Sequence, residues 1–231
     1  MALSHGPPII TNGLVLALDA ADRNSYPGSG TTWTDLSGSG NNGTLTNGPT
    51  YSSANGGSIV FDGANDYVNC GNILNFTTES FTFNIFFYLT STTTNFGGQG
   101  PILFYKGQYQ QNGYYLQLGQ SSPAAAAFIT NQSGAIQDTA SSSLLIVGAW
   151  NCLSVVRIGS SVTIYINGVN ATATAGTHIN PASSGNNFQL SGYSNIIFAN
   201  IRIASFQAYN RALTAEEIQQ NFNALRGRYG I

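Results

Sequence analysis

From residue 14 to residue 206 this chain alternates short runs of β-branched and aromatic residues with turn signals, and no helical period interrupts them. LVLAL (14–18) is the first run, followed by SIVF (58–61), YVNC (67–70) and FTFNIFF (81–87). ILFY (102–105) and YYLQL (114–118) flank a loop of Gly, Gln and Asn and read as a long hairpin. Trp150 opens LSVV (153–156), and VTIYI (162–166), FQL (188–190), IIF (196–198) and IRIASF (201–206) complete the set. Asn167-Gly168, set between β-branched runs, supplies the two positive-φ positions of a type I′ turn. More than ten such strands without helices between them specify an all-β, antiparallel β-sandwich.

No composition break or charged linker divides the 231 residues. The sequence therefore predicts a single domain over residues 13–231, preceded by an amino-terminal extension or arm, residues 1–12. The Gly-, Asn- and Ser-rich segments 37–48 and 183–187 read as loops. One short C-terminal α-helix is expected over 215–226. Thr214 and Glu217 form a capping box, Ile218, Phe222 and Leu225 make one apolar stripe, and Gly227 suits the stop. Such a helix either packs on the sandwich or docks another subunit.

Charged residues are 7% of the chain, against about 25% in an ordinary soluble domain. Lys106 is the only lysine, and seven basic residues against nine acidic ones give a net charge of −2. That balance leaves no basic patch for nucleic acid or for anionic lipid. The longest apolar runs, such as 81–89, fall far short of the ~20 residues of a membrane span, so no membrane partner is expected. MALSHGPPII lacks the basic and apolar segments of a secretory signal. The chain is thus expected to stay in the cytosol or to leave it by another route. Cys70 and Cys152 form no disulfide framework or metal motif and read as buried thiols.

Glycoside hydrolysis uses two carboxyl groups flanking the bond. The only glutamates are Glu79, Glu216 and Glu217, and two of them belong to the terminal helix. His5 lies in the amino-terminal tail and His178 in a loop, and Cys152 with His178 is the best available thiol pair. No nucleophile elbow, phosphate-cradling loop or GxGxxG is present, so an enzyme is not expected. No resident cofactor is expected either. If Ca²⁺ is held, Asp62 and Asp66 in DGAND (62–66) are the candidates, ahead of Asp19, Asp22 and Asp35. The alternative is that these carboxylates cap their own turns. For glycan contact, Tyr105, Gln108, Tyr109, Gln111, Asn112 and Tyr114 concentrate amides and aromatic rings in one hairpin. The alternative there is a strand pair whose alternate tyrosines pack inward.

Several stretches together resemble the laminin-G-like branch of the concanavalin A-like lectin/glucanase superfamily. They are WTDLSGSGNNGTL (33–45), GGSIVFDGANDYV (56–68), ILFYKG (102–107), GYYLQLG (113–119), VTIYINGV (162–169) and YNRALTAEEI (209–218). The resemblance implies a jelly-roll sandwich of two curved sheets. The SYPGSGTTW opening and the QNFNALRGRYG ending resemble modules of tailed-bacteriophage structural proteins. The expectation is a non-enzymatic virion protein of head or tail, with other virion proteins or its own copies as partners. The alternative is an adhesin that recognises host surface polysaccharide.

Overall fold

The computed structural model describes residues 7–142, 144–193 and 196–231, so His5 lies outside the described residues. The strands are β1 (Leu14–Asp19), β2 (Thr32–Trp33), β3 (Gly43–Thr46), β4 (Thr50–Ser52), β5 (Ser58–Asp62) and β6 (Tyr67–Asn69). Next come β7 (Phe81–Thr94), β8 (Ile102–Gln108), β9 (Asn112–Leu118), β10 (Ala126–Gln132), β11 (Ala135–Ser141) and β12 (Trp150–Ile158). The last are β13 (Ser161–Ile166), β14 (Val169–Asn170), β15 (Thr172–Thr174), β16 (Gln189–Leu190), β17 (Gly192–Tyr193) and β18 (Ile197–Tyr209), before helix α1 (Ala215–Leu225).

They form two antiparallel sheets. The first runs β14-β13-β12-β7-β18-β5-β4, with β1 and β17 also paired to β18. The second runs β15-β11-β10-β9-β8-β16-β6-β3-β2. Period-two alternation sends one face of each strand into a shared core. Phe83 of β7 meets Phe104 of β8 at 4.7 Å between ring centroids, and Phe81 meets Phe128 of β10 at 5.9 Å. Full burial of each such ring contributes roughly 2–3 kcal/mol. The sandwich read from the sequence is the one observed.

Some boundaries differ. β3 lies inside the segment 37–48 that reads as a loop, because Leu45 alternates into the core. Residues 197–198 and the run 201–206 belong to the single strand β18, which crosses two register shifts against β7. The segment between β1 and β3 is organised by the buried carboxylate of Asp35. Its oxygens accept the amide N–H groups of Ala17, Ser37 and Asn41 and the Ser37 hydroxyl, at 2.8–3.0 Å. Asn167 and Gly168 have φ of 51° and 80°, the turn that their sequence requires.

Helix α1 covers the outer face of the first sheet. Its capping box is present, and Ile218, Phe222 and Leu225 are buried, Phe222 stacked on Phe86 at 6.2 Å. Asn221 interrupts that stripe for a reason: its Oδ1 accepts the Ile10 N–H (2.8 Å), and its Nδ2 donates to Tyr209 Oη (3.0 Å). Gln220 Nε2 donates to the Pro8 carbonyl and Arg211 Nε to that of Asn12. Residues 7–12 are thereby strapped to the helix. Among the described residues, no helix lies on the outer face of the second sheet.

Candidate functional site

That uncovered face carries a groove. Its floor is a cross-strand row in which Tyr105 of β8, Tyr115 of β9, Ile129 of β10 and Asp138 of β11 are successive partners. A parallel row runs through Gln117, Ala127 and Ala140. Tyr193 of β17 wedges above the floor, its ring 4.3 Å from Tyr105 and 5.9 Å, edge-on, from Tyr115. The Tyr193 hydroxyl accepts the Tyr109 N–H at 3.0 Å, which seats the hairpin tip against the groove. Burial first, then the neighbouring Tyr105, pushes the Tyr193 phenol up to about 12. Burial likewise raises Tyr115, so both stay neutral hydrogen-bonding groups.

The rim is apolar and open to solvent. Phe96 is 47% and Tyr109 46% exposed, and Ile136 and Ile196 stand beside them. Asn95 fixes the Phe96 lip: its Nδ2 donates to the Ile196 carbonyl (2.8 Å), and its Oδ1 accepts the Phe198 N–H (3.0 Å). The enclosed space is about 500 Å³, within the usual range for small-molecule clefts. Gln99, Gln117 and Asp138 supply polar groups, and no lining residue is cationic. Aromatic faces flanked by amides can hold a ring that is apolar on one side and hydroxylated at its edge.

The residues singled out in the sequence separate here. Tyr109 lines the groove and Tyr105 lies beneath Tyr193, whereas Gln108 and Gln111 are exposed at the hairpin tip and Asn112 is half-buried there. Tyr114 corrects the sequence expectation. Paired with Lys106, it faces the other way, fully buried against Phe81 and Phe83, and its hydroxyl donates to the Leu74 carbonyl at 2.7 Å. The hairpin is also tighter than expected, since its strands run on to Gln108 and Asn112. Phe96, Tyr193, Ile136 and Asp138 carry no local sequence signal, because three separate segments bring them together.

Catalytic arrangements are not assembled at this groove. Asp138 is its one carboxylate. Glu217 pairs with Arg211 at 2.6 Å, Glu79 Oε2 accepts the Thr77 N–H, and Glu216 lies in the first turn of α1. Cys152 is buried beneath α1, while His178 is bonded to Thr130 and Thr139, so the thiol pair does not form. Cys70 lies in the central core and both thiols are free. Burial, with the Asp35 charge second, pushes Cys70 up to about 12. The Asp62 and Asp66 carboxylates are engaged in their own turn. Asp62 Oδ1 accepts the Ala64 N–H (2.7 Å), and Asp66 Oδ2 the Asp62 N–H (3.2 Å). No group of three or more His, Cys, Asp or Glu able to hold a metal occurs among the described residues.

Comparison with known proteins places this geometry. Residues 62–219 match a family described as the concanavalin A-like lectin/glucanases superfamily. The comparison with curated proteins gave no match. Among solved structures, the binding domain of Paraclostridial Mosquitocidal Protein 1 is 18% identical, with a TM-score of 0.72 over 93% of this chain and 52% of that one. The binding domain of botulinum neurotoxin DC, solved with rat synaptotagmin II, is 14% identical, with a TM-score of 0.69 over 94% and 52%. This chain thus spans about half the length of those toxin domains. Domain 4 of AbnA, a GH43 extracellular arabinanase from Geobacillus stearothermophilus solved with arabinotriose, is 18% identical, with a TM-score of 0.60 over 91% and 98%. At these identities the likeness is one of fold. Matched over more than half its length and built as the corresponding two-sheet sandwich, the chain belongs to the concanavalin A-like lectin/glucanase superfamily, in its laminin-G-like branch.

Proposed function

We propose that this chain is a non-catalytic, lectin-like binding domain that holds uncharged carbohydrate in the groove over β8–β11. One observation carries the reading: exposed Phe96 and Tyr109 flank amide groups on the only broad sheet face that no helix covers among the described residues. The AbnA domain solved with arabinotriose supports it by analogy of fold. A single carboxylate at the groove supports binding without turnover, since hydrolysis uses a pair. A glycan array followed by titration tests it. Tyr109→Ala should weaken binding at least tenfold, and Gln111→Ala, at the exposed tip, should leave it unchanged. Equal binding by both variants and wild type, or shortened products after incubation, would contradict the proposal.

A second reading concerns where the domain works. We propose display on a tailed-phage virion, favoured by the charge-poor composition, which lets many copies crowd with little mutual repulsion. Peptide mass spectrometry of purified particles should find the chain in stoichiometric amount. Its absence from intact particles would overturn that location.

A further inference from the structure

Resting on the carbohydrate reading, we infer that the groove takes an internal stretch of a linear, uncharged polysaccharide and rejects acidic chains. The groove does not stop at Gln117. A second hollow of about 370 Å³ continues it and shares Gln99, Gln117 and Ala127 with the first. Its walls are small: Gly98, Gly119, Ala125 and Ala140 leave the floor low, and a Cβ on Gly98 would meet nothing within 4 Å. Measured along β9 and its continuation from Tyr115 to Gly119, the two hollows follow four residue steps, about 13 Å at strand rise. A trough of that length suits two to three linked rings and exceeds the needs of one terminal sugar.

The two halves offer different chemistry. The first has the aromatic rim; the second is a glutamine-lined channel. Gln117 Nε2 donates to Gln99 Oε1 (2.9 Å), and Gln120 Nε2 donates to the Gln99 carbonyl (3.2 Å). Gln99 Nε2 and Gln117 Oε1 are left without a protein partner among the described residues, one donor and one acceptor for ring hydroxyls. Across both hollows the only charged residue is Asp138, and no lysine or arginine offsets it. A carboxylated or sulfated chain laid there meets a like charge and no cation, which is discrimination by repulsion.

The experiment uses the full chain against neutral arabinan, mannan, dextran and β-glucan, the di- and hexasaccharides of whichever binds, and the carboxymethyl form of that polymer. The hexasaccharide should bind at least tenfold more tightly than the disaccharide. The carboxymethyl polymer should bind at least tenfold more weakly than its parent at low salt, and Asp138→Asn should close most of that gap. Equal affinity for di- and hexasaccharide, or a carboxymethyl penalty that is absent or unmoved by Asp138→Asn, would overturn the inference while leaving the carbohydrate reading intact. Failure of every neutral polymer to bind would overturn both.

Discussion

His178 sits between two hydroxyls, Thr130 Oγ1 at 2.9 Å from Nδ1 and Thr139 Oγ1 at 2.8 Å from Nε2. Burial first, and the Arg157 charge second, lower it to about 4, while the Asp138 charge acts to raise it. The unfolded chain therefore binds more protons than the native one between pH ~6.5 and ~4. Stability is fully held above that window and falls as the pH drops through it, by about 2 kcal/mol once solvent screening is allowed for. Urea midpoints at pH 7 and pH 4.5 should show the loss, and His178→Gln should flatten it. Asp35 makes a second residue-scale case. Asp35→Ala strands three amide N–H groups and should cost roughly 2–4 kcal/mol in chemical denaturation. Cys70 and Cys152, buried and raised in pKa, should react with a thiol reagent only after unfolding; rapid native labelling would contradict their placement. At this scale the sequence brought Tyr109 and Tyr114 into one hairpin without separating them: Tyr109 stands at the groove rim, and Tyr114 follows the inward-packing alternative, because composition within a hairpin does not say which side chains share a face.

Elements with a strong local code were legible. The Thr214–Glu217 capping box and the Asn167-Gly168 turn are short-range geometry, and both stand where the sequence put them. β10 and β11 give no strand signal in the sequence, although both line the groove. Their faces carry Ala127, Asn131, Gln137 and Asp138 in place of a continuous apolar set, so periodicity had little to register. Asn221 was equally silent: a polar residue in an apolar stripe reads as a flaw until residues 7–12 are seen bonded to it. Asn221→Ala removes the acceptor for the Ile10 N–H and the donor to Tyr209. Amide exchange in residues 9–12 should quicken at least tenfold while exchange in β7 and β12 stays unchanged; uniform acceleration would mean that the strap is not a separate unit.

Over the whole molecule, cations are kept away from the groove. Lys106, the sole lysine, is 1% exposed, with Nζ donating to Asn72 Oδ1 (2.6 Å) and to the Asn186 carbonyl (2.5 Å), and Arg157 is fully buried. The remaining cations lie outside the groove. Binding of a neutral polymer should therefore change less than twofold between low and roughly 0.5 M salt, where exposed ion pairs are largely screened. The fold was legible at this scale because two-sheet sandwiches follow from strand count and turns. The groove was not, since it depends on which sheet α1 leaves uncovered. Hydrogen–deuterium exchange with and without a bound neutral polysaccharide tests the central claim most directly. Slower exchange confined to peptides spanning residues 95–100, 109–118 and 127–138 is the predicted result, and protection confined to α1 or the 62–66 turn, with these segments unchanged, would contradict it.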